Sequence, residues 1–129
     1  MEASPAVGDG TLFAFGAGLG GLGAGLYAFD ANGCGSRSCP PLWVGHIEGE
    51  YFSSPLVAGG LVFVVASGEY DGPGKVFAFD ASGCGANACE PLWTARGVGK
   101  TRSSLARANG TLFVSGDDGL LVAFGIGPA

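Results

Sequence analysis

Short runs of apolar residues, broken by glycine-rich turns, recur along the whole chain. The run LVFVVA at 61–66 mixes β-branched and aromatic residues, and KVFAFDA at 75–81 has the same character. Such residues favour strands, and the glycine pair that joins SPLVA (54–58) to LVFVVA is typical of a turn between strands. No window free of glycine shows the 3.6-residue periodicity of a helix. The pattern predicts an all-β protein of short antiparallel strands.

The chain aligns with itself when it is shifted by 50 residues. Three segments match at their first two strands: ASPAVGDGTLFAF at 3–15, SSPLVAGGLVFVV at 53–65 and SSLARANGTLFVS at 103–115. LYAFDANGCG at 26–35 matches VFAFDASGCG at 76–85. The third copy is five residues shorter and reaches only LVAFG at 121–125. Such self-similarity defines two full repeat units and a truncated third.

The units span residues 1–50, 51–100 and 101–129, and the middle unit predicts four strands at 54–58, 61–66, 75–81 and 91–95. The shortest link between a second and a third strand, SGDDGL at 115–120, has the composition of a hairpin turn. Four short strands repeated every 40–50 residues are typical of a β-propeller blade. We therefore predict one partial β-propeller over 1–129, made of four-stranded antiparallel blades with a 50-residue repeat.

Several repeated segments carry a family resemblance. SSPLVAGGLVFVVAS, GKVFAFDASG and PLW resemble the repeat of the pyrroloquinoline-quinone-like (PQQ-like) β-propellers, and the match covers almost the whole chain. It rests on positions that recur as Ala28, Asp30, Gly33 and Trp43, then as Ala78, Asp80, Gly83 and Trp93. The resemblance implies a structural role, because in that family the alanine and aspartate side of one blade packs on a neighbour's tryptophan. This chain departs from the family by inserting a cysteine-containing loop before the tryptophan.

The inserted loops are GCGSRSCPPLW at 33–43 and GCGANACEPLW at 83–93. A four-cysteine zinc site would need CxxC-like pairs that meet in space, whereas the spacing here is CxxxxC on loops expected to diverge. A thioredoxin-like redox pair would need CxxC at the start of a helix. We instead predict disulfides within each loop, Cys34 with Cys39 and Cys84 with Cys89. Closing a six-residue loop is worth about 2 kcal/mol in the loop-entropy estimate.

Composition restricts the partners and the compartment. Charged residues make up 13% of the chain and the net charge is −5, which disfavours nucleic acid as a partner. No run of 18 apolar residues predicts a membrane span. The paired cysteines favour an extracytoplasmic, periplasmic or secreted location, yet MEASPAVGDG at 1–10 lacks the features of a signal peptide. We reconcile these observations by expecting the chain to be a piece of a longer exported protein.

Most of the charged residues are predicted to gather at one end of the blades. If the first strand of each blade lines the axis, the links between blades and the second-to-third loops share this end. The predicted binding rim consists of His46, Glu48, Glu50, Tyr51, Glu69, Tyr70, Asp71, Lys100, Arg102, Asp117 and Asp118. The alternative is that these charges mark only solvent-exposed loops.

No residue pattern predicts catalysis in this chain, and no cofactor is predicted. GVGKT at 97–101 lacks the first glycine of a phosphate-binding loop, since Thr94 occupies that position, and the segment after it aligns with a strand. His46 is the only histidine, so a multi-histidine metal centre is excluded. Asp117 and Asp118 could ligate calcium, although a two-residue turn also accounts for them. No G-x-S-x-G nucleophile motif occurs.

Two classes of function are compatible with this sequence. The first is a non-enzymatic exported propeller that binds a protein or ligand, similar to the BamB-type assembly lipoproteins or to receptor-kinase sensor domains. The second is a blade set from a quinoprotein dehydrogenase whose catalytic residues, a vicinal Cys-Cys pair and calcium carboxylates, lie outside this chain. In either case, two and three-quarter blades leave apolar flanks that predict association with further blades or with another copy.

Overall fold

The computed structural model describes residues 5–8, 10–17, 24–47, 51–52, 54–67, 74–98, 105–115 and 121–125 of the 129-residue chain. These ranges form thirteen strands and contain no helix, which confirms the all-β prediction. Nor does any helix in these ranges have the length and apolar character needed to cross a membrane. The strands are grouped in three separate sheets.

Each sheet corresponds to one repeat unit. Sheet 1 contains β1 (Ala6–Gly8), β2 (Thr11–Ala17), β3 (Ala24–Asp30) and β4 (Trp43–His46), together with β9 (Ala88–Cys89) from the second repeat. Sheet 2 contains β5 (Tyr51–Phe52), β6 (Leu56–Ala58), β7 (Leu61–Ser67), β8 (Gly74–Asp80) and β10 (Trp93–Val98). Sheet 3 contains β11 (Ala106–Ala108), β12 (Thr111–Ser115) and β13 (Leu121–Gly125).

The three sheets share one hydrogen-bonding register. Phe13, Phe63 and Phe113 each pair with the strand before them, opposite Ala6, Leu56 and Ala106, at steps of 50 residues. The same phenylalanines pair on their other side with Ala28, Ala78 and Ala123. Ser115 pairs with Leu121 across the shortest link between a second and a third strand, as expected for a hairpin. The structure therefore confirms the strands predicted from the repeat, all antiparallel within each unit.

Two strands were not predicted from the sequence. Strand β5 pairs with the end of β7, so the second unit begins its sheet before the SPLVA segment. Strand β9 lies inside the second cysteine loop and runs parallel to β4 of the first unit. The second cysteine loop therefore has backbone hydrogen bonds to a neighbouring strand that were not predicted from the sequence.

Sheet 2 is buried on both of its faces. Along β7, Val62, Val64 and Ala66 pack against sheet 1, whereas Phe63 and Val65 pack against sheet 3. Successive side chains of a strand point to opposite faces, so an uninterrupted apolar run fits a strand that has a neighbour on each side. The stacking produces two cores, one on each side of sheet 2.

The core between sheets 1 and 2 includes Phe13, Leu26, Ala28 and Trp43 from the first sheet, which face Phe79 and other apolar residues of the second. The core between sheets 2 and 3 repeats this arrangement with Phe63, Val76, Ala78 and Trp93 facing Leu112, Val114 and Phe124. Each repeat thus presents one set of side chains to the preceding unit and another set to the following unit.

The strand connections define two ends of the stack. The backbone N–H of Ala31 donates to the carbonyl of Gly10, and that of Ala81 donates to Gly60, so the first hairpin turn of a unit lies beside the turn that opens its cysteine loop. We call this the cysteine-loop end. His46 pairs with Gly25 near the start of β3 and therefore lies at the opposite end.

The two tryptophans provide a matched test of this packing. Trp43 is only 4% exposed, whereas the equivalent Trp93 is half-buried. We expect Trp43→Ala to lower the free energy of unfolding by about 3–5 kcal/mol, as for other buried aromatic residues, and Trp93→Ala to lower it by less. Denaturant titrations of both variants measure the difference. An equal or larger loss for Trp93→Ala would contradict the packing described here.

Candidate functional site

Most of the predicted binding rim lies outside the described residues. This holds for Glu48, Glu50, Glu69, Tyr70, Asp71, Lys100, Arg102, Asp117 and Asp118. Tyr51 lies in strand β5, and His46 is exposed at the end of β4. The rim therefore remains a prediction. The described residues include the aspartate turns, the two disulfides and a groove at the cysteine-loop end.

The recurring aspartates each organise a tight turn at this end. The carbonyl of Asp30 accepts the N–H of Gly33 at 3.0 Å, and the carbonyl of Asp80 accepts that of Gly83 at 3.0 Å. Their carboxylates also accept the backbone N–H two residues ahead, from Asn32 and Ser82, both at 2.9 Å. Such side-chain to backbone hydrogen bonds are typical of aspartate turns. The geometry agrees with a structural role for this pair.

Asp80 makes one more hydrogen bond than Asp30. The Ser82 hydroxyl donates to the Asp80 carboxylate at 2.6 Å. This hydroxyl, followed by the Ser82 backbone N–H, lowers the pKa of Asp80 below its usual 3.8, against a weak opposing effect of burial. Hydrogen bonds to the ionised form favour that form. The turn therefore keeps a carboxylate at the entrance of the second cysteine loop.

Disulfide bonds close both cysteine loops. Cys34 is joined to Cys39, and Cys84 is joined to Cys89, with 5.8 Å between the Cα atoms of each pair. The pairing is the one predicted from the spacing, and it leaves no free thiol on the four cysteines. Within the described ranges, no group of three or more histidine, cysteine or acidic side chains is arranged to hold a metal ion.

The second cysteine loop joins two repeats. Its strand β9 adds to the free edge of β4, with Ala88 beside Val44 and Cys89 beside Gly45. The backbone N–H of Val44 donates to the carbonyl of Asn87 at 2.8 Å. Cys89 is buried in the core between sheets 1 and 2. The disulfide therefore fixes a segment that connects the second repeat to the outer strand of the first.

Trp43 is enclosed by this loop. A Cβ atom built on Gly83 would lie 2.8 Å from Cδ1 of the Trp43 ring, so only glycine fits there, and its φ of +92° also favours glycine. The ring lies 6.0 Å from the rings of both Phe13 and Phe79, at tilted angles. Such aromatic contacts add to the energy gained by burial. A tryptophan of one repeat is thus covered by the aspartate turn of the next.

The first cysteine loop has no such contact among the described residues. A Cβ built on Gly33 has nothing within 4 Å, and residues 31–38 are exposed. Ser38 and Cys39, the equivalents of β9, do not form a strand. Two loops with the same spacing and the same disulfide therefore differ in whether a neighbouring sheet receives them.

Two grooves lie beside the second cysteine loop, between the first two repeats. The larger, of about 390 Å³, is lined by Thr11, Leu42 and Trp43 on one side and by residues 81–87 on the other. The smaller, of about 230 Å³, is lined by Thr11, Gly60 and residues 80–82. The larger groove exposes the hydroxyls of Thr11 and Ser82 and the amide of Asn87 beside Leu42 and Trp43, so it could bind a small molecule that carries both polar and apolar groups. Asp80 lines only the smaller groove. Sequence reasoning did not find these grooves, because they lie where two repeats meet.

The GVGKT segment shows no feature of a nucleotide site in its described part. Gly97 and Val98 end strand β10, and the other three residues lie outside the described ranges. A phosphate-binding loop is followed directly by a helix, whose N-terminus contributes to binding the phosphates. The segment after GVGKT was predicted to contain a strand, and strand β11 (Ala106–Ala108) lies there.

The different settings of the disulfides predict different effects on stability. Removing Cys34–Cys39 with paired serines should cost about 2 kcal/mol of loop entropy. The Cys84→Ser/Cys89→Ser variant should lose more, because it also releases β9 from β4 and places a hydroxyl in the core. Denaturant midpoints of the two double variants decide this, after mass spectrometry of non-reduced peptides has verified the 34–39 and 84–89 links. Equal midpoints would show that the second loop does not stabilise the junction.

The hydrogen bond from Ser82 predicts a measurable change in titration. Ser82→Ala should raise the pKa of Asp80 towards 3.8, because it removes the largest cause of the lowering. Because the pKa of Asp80 is lower in the folded protein, its ionised carboxylate stabilises the fold above pH 3.8. This stabilisation is lost as the pH falls through the pKa of Asp80 in the folded protein. Carboxyl-carbon NMR titration provides the measurement, with Ser38→Ala in the other loop as the control. An unchanged Asp80 titration in Ser82→Ala would exclude the hydroxyl as the cause.

Comparison with known proteins adds no relative to these observations. No protein-family model matches the chain, and a search of curated proteins found no significant match.

Proposed function

We propose that this chain is a run of blades from a PQQ-like β-propeller in an exported protein, and that it serves as a non-enzymatic scaffold that binds a protein or a small ligand. The main support is the shared register of the three sheets, repeated at 50-residue steps and stacked in chain order. Propeller blades are consecutive sheets of this kind, arranged around an axis with their first strands innermost.

The first strands of the first two units lie close together, as in neighbouring propeller blades. A Cβ built on Gly8 of β1 would lie 2.5 Å from Cγ1 of Val57 in β6. A Cβ built on Gly59, beside β6, would lie 3.7 Å from an Arg107 guanidinium nitrogen in β11. The sheets are close at their inner strands, and large aromatic side chains such as Trp43 lie between them near the outer strands. Such a difference in spacing favours sheets that stack around an axis.

The disulfides support an exported protein. All four cysteines are joined in disulfides, and disulfides persist mainly where the environment is oxidising. An extracytoplasmic scaffold benefits from such bridges, because glycine-rich loops lose much conformational entropy on folding.

Two surfaces are candidates for binding, one at each end of the stack. The predicted rim would combine acidic residues with Lys100 and Arg102, and its mixed charge suits a protein partner. The larger groove at the cysteine-loop end suits a small ligand that carries polar groups. We assign protein binding to the rim, because loops that project from a rigid scaffold commonly carry recognition.

The alternative, a blade set of a quinoprotein dehydrogenase, makes a different prediction. Such a protein would bind pyrroloquinoline quinone once the remaining blades are present. Fluorescence titration of the longest available reading frame with this quinone separates the two functions, and saturable binding would favour the enzyme.

Charge reversal tests the scaffold function at the rim. We expect Lys100→Glu/Arg102→Glu to reduce the amount of partner captured from the exported protein fraction of the source cells, measured by quantitative mass spectrometry. The melting temperature should stay nearly unchanged, since surface substitutions shift stability by no more than about 0.5 kcal/mol. Arg37→Glu, an exposed charge at the opposite end, is the matched control. Unchanged capture by the double variant would assign Lys100 and Arg102 to solvated loops.

A further inference from the structure

The two outer sheets each have one face without a neighbouring sheet among the described residues. Sheet 2 shows what such faces contact when a neighbour is present, because it packs against sheet 1 on one side and sheet 3 on the other. The chain therefore contains two junctions of the same kind, one between sheets 1 and 2 and one between sheets 2 and 3. In both, the face that looks towards the next unit meets the face that looks towards the previous unit.

The outer face of sheet 3 is the one that looks towards a next unit. Leu121 occupies the position of Leu26 and Val76, and both of these are fully buried. Leu121 itself is 66% exposed. Phe113, whose equivalents Phe13 and Phe63 are also fully buried, is only half-buried. We call this surface, with Ala106 and Ala123, the tail face.

The outer face of sheet 1 is the one that looks towards a previous unit. Val7 occupies the position of Val57, which packs on the core between sheets 1 and 2, yet Val7 is 64% exposed. Leu12 and Phe29 are half-buried, whereas their equivalents Val62 and Phe79 are buried by the preceding sheet. Phe29 stacks on the buried Tyr27, with 6.3 Å between ring centroids. We call this surface, with Ala14, the head face.

We propose that the chain associates with a second copy of itself, head face against tail face, through a junction that repeats the two within the chain. The argument is one of complementarity, because the tail face has the side-chain pattern that receives a head face, and this chain carries a head face at its other end. Exposed apolar surfaces of this kind mark association sites. Contact between two different patches is heterologous, so copies extend into a chain unless the rotation closes a ring.

The junction between copies resembles the one between sheets 2 and 3, which has no strand addition among the described residues. In the described part of the chain, strand addition joins only sheets 1 and 2, through β9 and β4. The association therefore depends on the packing of the two faces and not on strand addition. It also depends on neither the propeller architecture nor the rim, so its failure would leave the proposed scaffold function open.

Opposed single substitutions test the proposal with the full chain. Analytical ultracentrifugation at micromolar concentration should show dimers or larger species for the wild type. Leu121→Glu on the tail face and Val7→Glu on the head face should each weaken association by about tenfold or more, since each places a charge in an apolar contact. Leu92→Glu is the matched control, because Leu92 is 60% exposed but lies at the cysteine-loop end, outside both faces. Circular dichroism and thermal melts verify that every variant is folded.

Mixing the two variants distinguishes head-to-tail packing from other modes of association. Val7→Glu retains an intact tail face, and Leu121→Glu retains an intact head face. An equimolar mixture should therefore form a heterodimer and nothing larger, at a concentration where each variant alone is mainly monomeric. A monomeric wild type, equal weakening by Leu92→Glu, wild-type association of either face variant, or a mixture that stays monomeric would each overturn the proposal.

Discussion

Burial of sheet 2 on both faces is the constraint on which the rest of the structure depends. Strand β7 is apolar at six consecutive positions from Leu61 to Ala66, and no orientation of a single sheet could bury them all. The strand is stable only with a sheet on each side, which the repeat provides. Each fully buried valine or phenylalanine contributes roughly 1.5–3 kcal/mol relative to exposure. The alternation of β7 and β8 side chains therefore fixes the order in which the three sheets stack.

The cysteine loops show how one sequence feature can have two structural settings. Both loops are opened by an aspartate turn, both contain glycines with positive φ and both are closed by a disulfide. Only the second reaches a preceding sheet, where its backbone pairs with β4 and its glycine admits the Trp43 ring. A disulfide that would otherwise hold only a local loop thereby fixes part of the contact between two repeats. The contribution of the second bridge beyond its loop entropy therefore depends on the neighbouring sheet.

The same dependence on neighbours explains the surfaces at the two ends of the stack. Leu26, Val76 and Leu121 occupy one repeat position, and the first two are buried because a following sheet covers them. Repeat proteins draw much of their stability from such nearest-neighbour contacts, so a terminal unit with an interior-type face remains prone to association. The candidate grooves at the cysteine-loop end arise from this stacking too, since Thr11 and Trp43 belong to one repeat and Ser82 to the next.

The all-β class, the repeat, the main strands and the pairing of the cysteines could all be predicted from the sequence. These features follow from local chemistry: β-branched and aromatic residues favour strands, glycine permits turns, and cysteines five positions apart can reach each other. Sequence reasoning did not find strand β9 or the grooves, and it did not show which of the two tryptophans the glycine of a neighbouring repeat would enclose. Each of these features involves atoms from two repeats. The two cysteine loops have similar sequences, so they do not show that Ala88 lies in a strand whereas the equivalent Ser38 does not. Which loop has a neighbouring sheet depends on the tertiary structure. A two-residue segment forms a strand when an unpaired sheet edge lies beside it, and the same segment stays an exposed loop where no such edge is near.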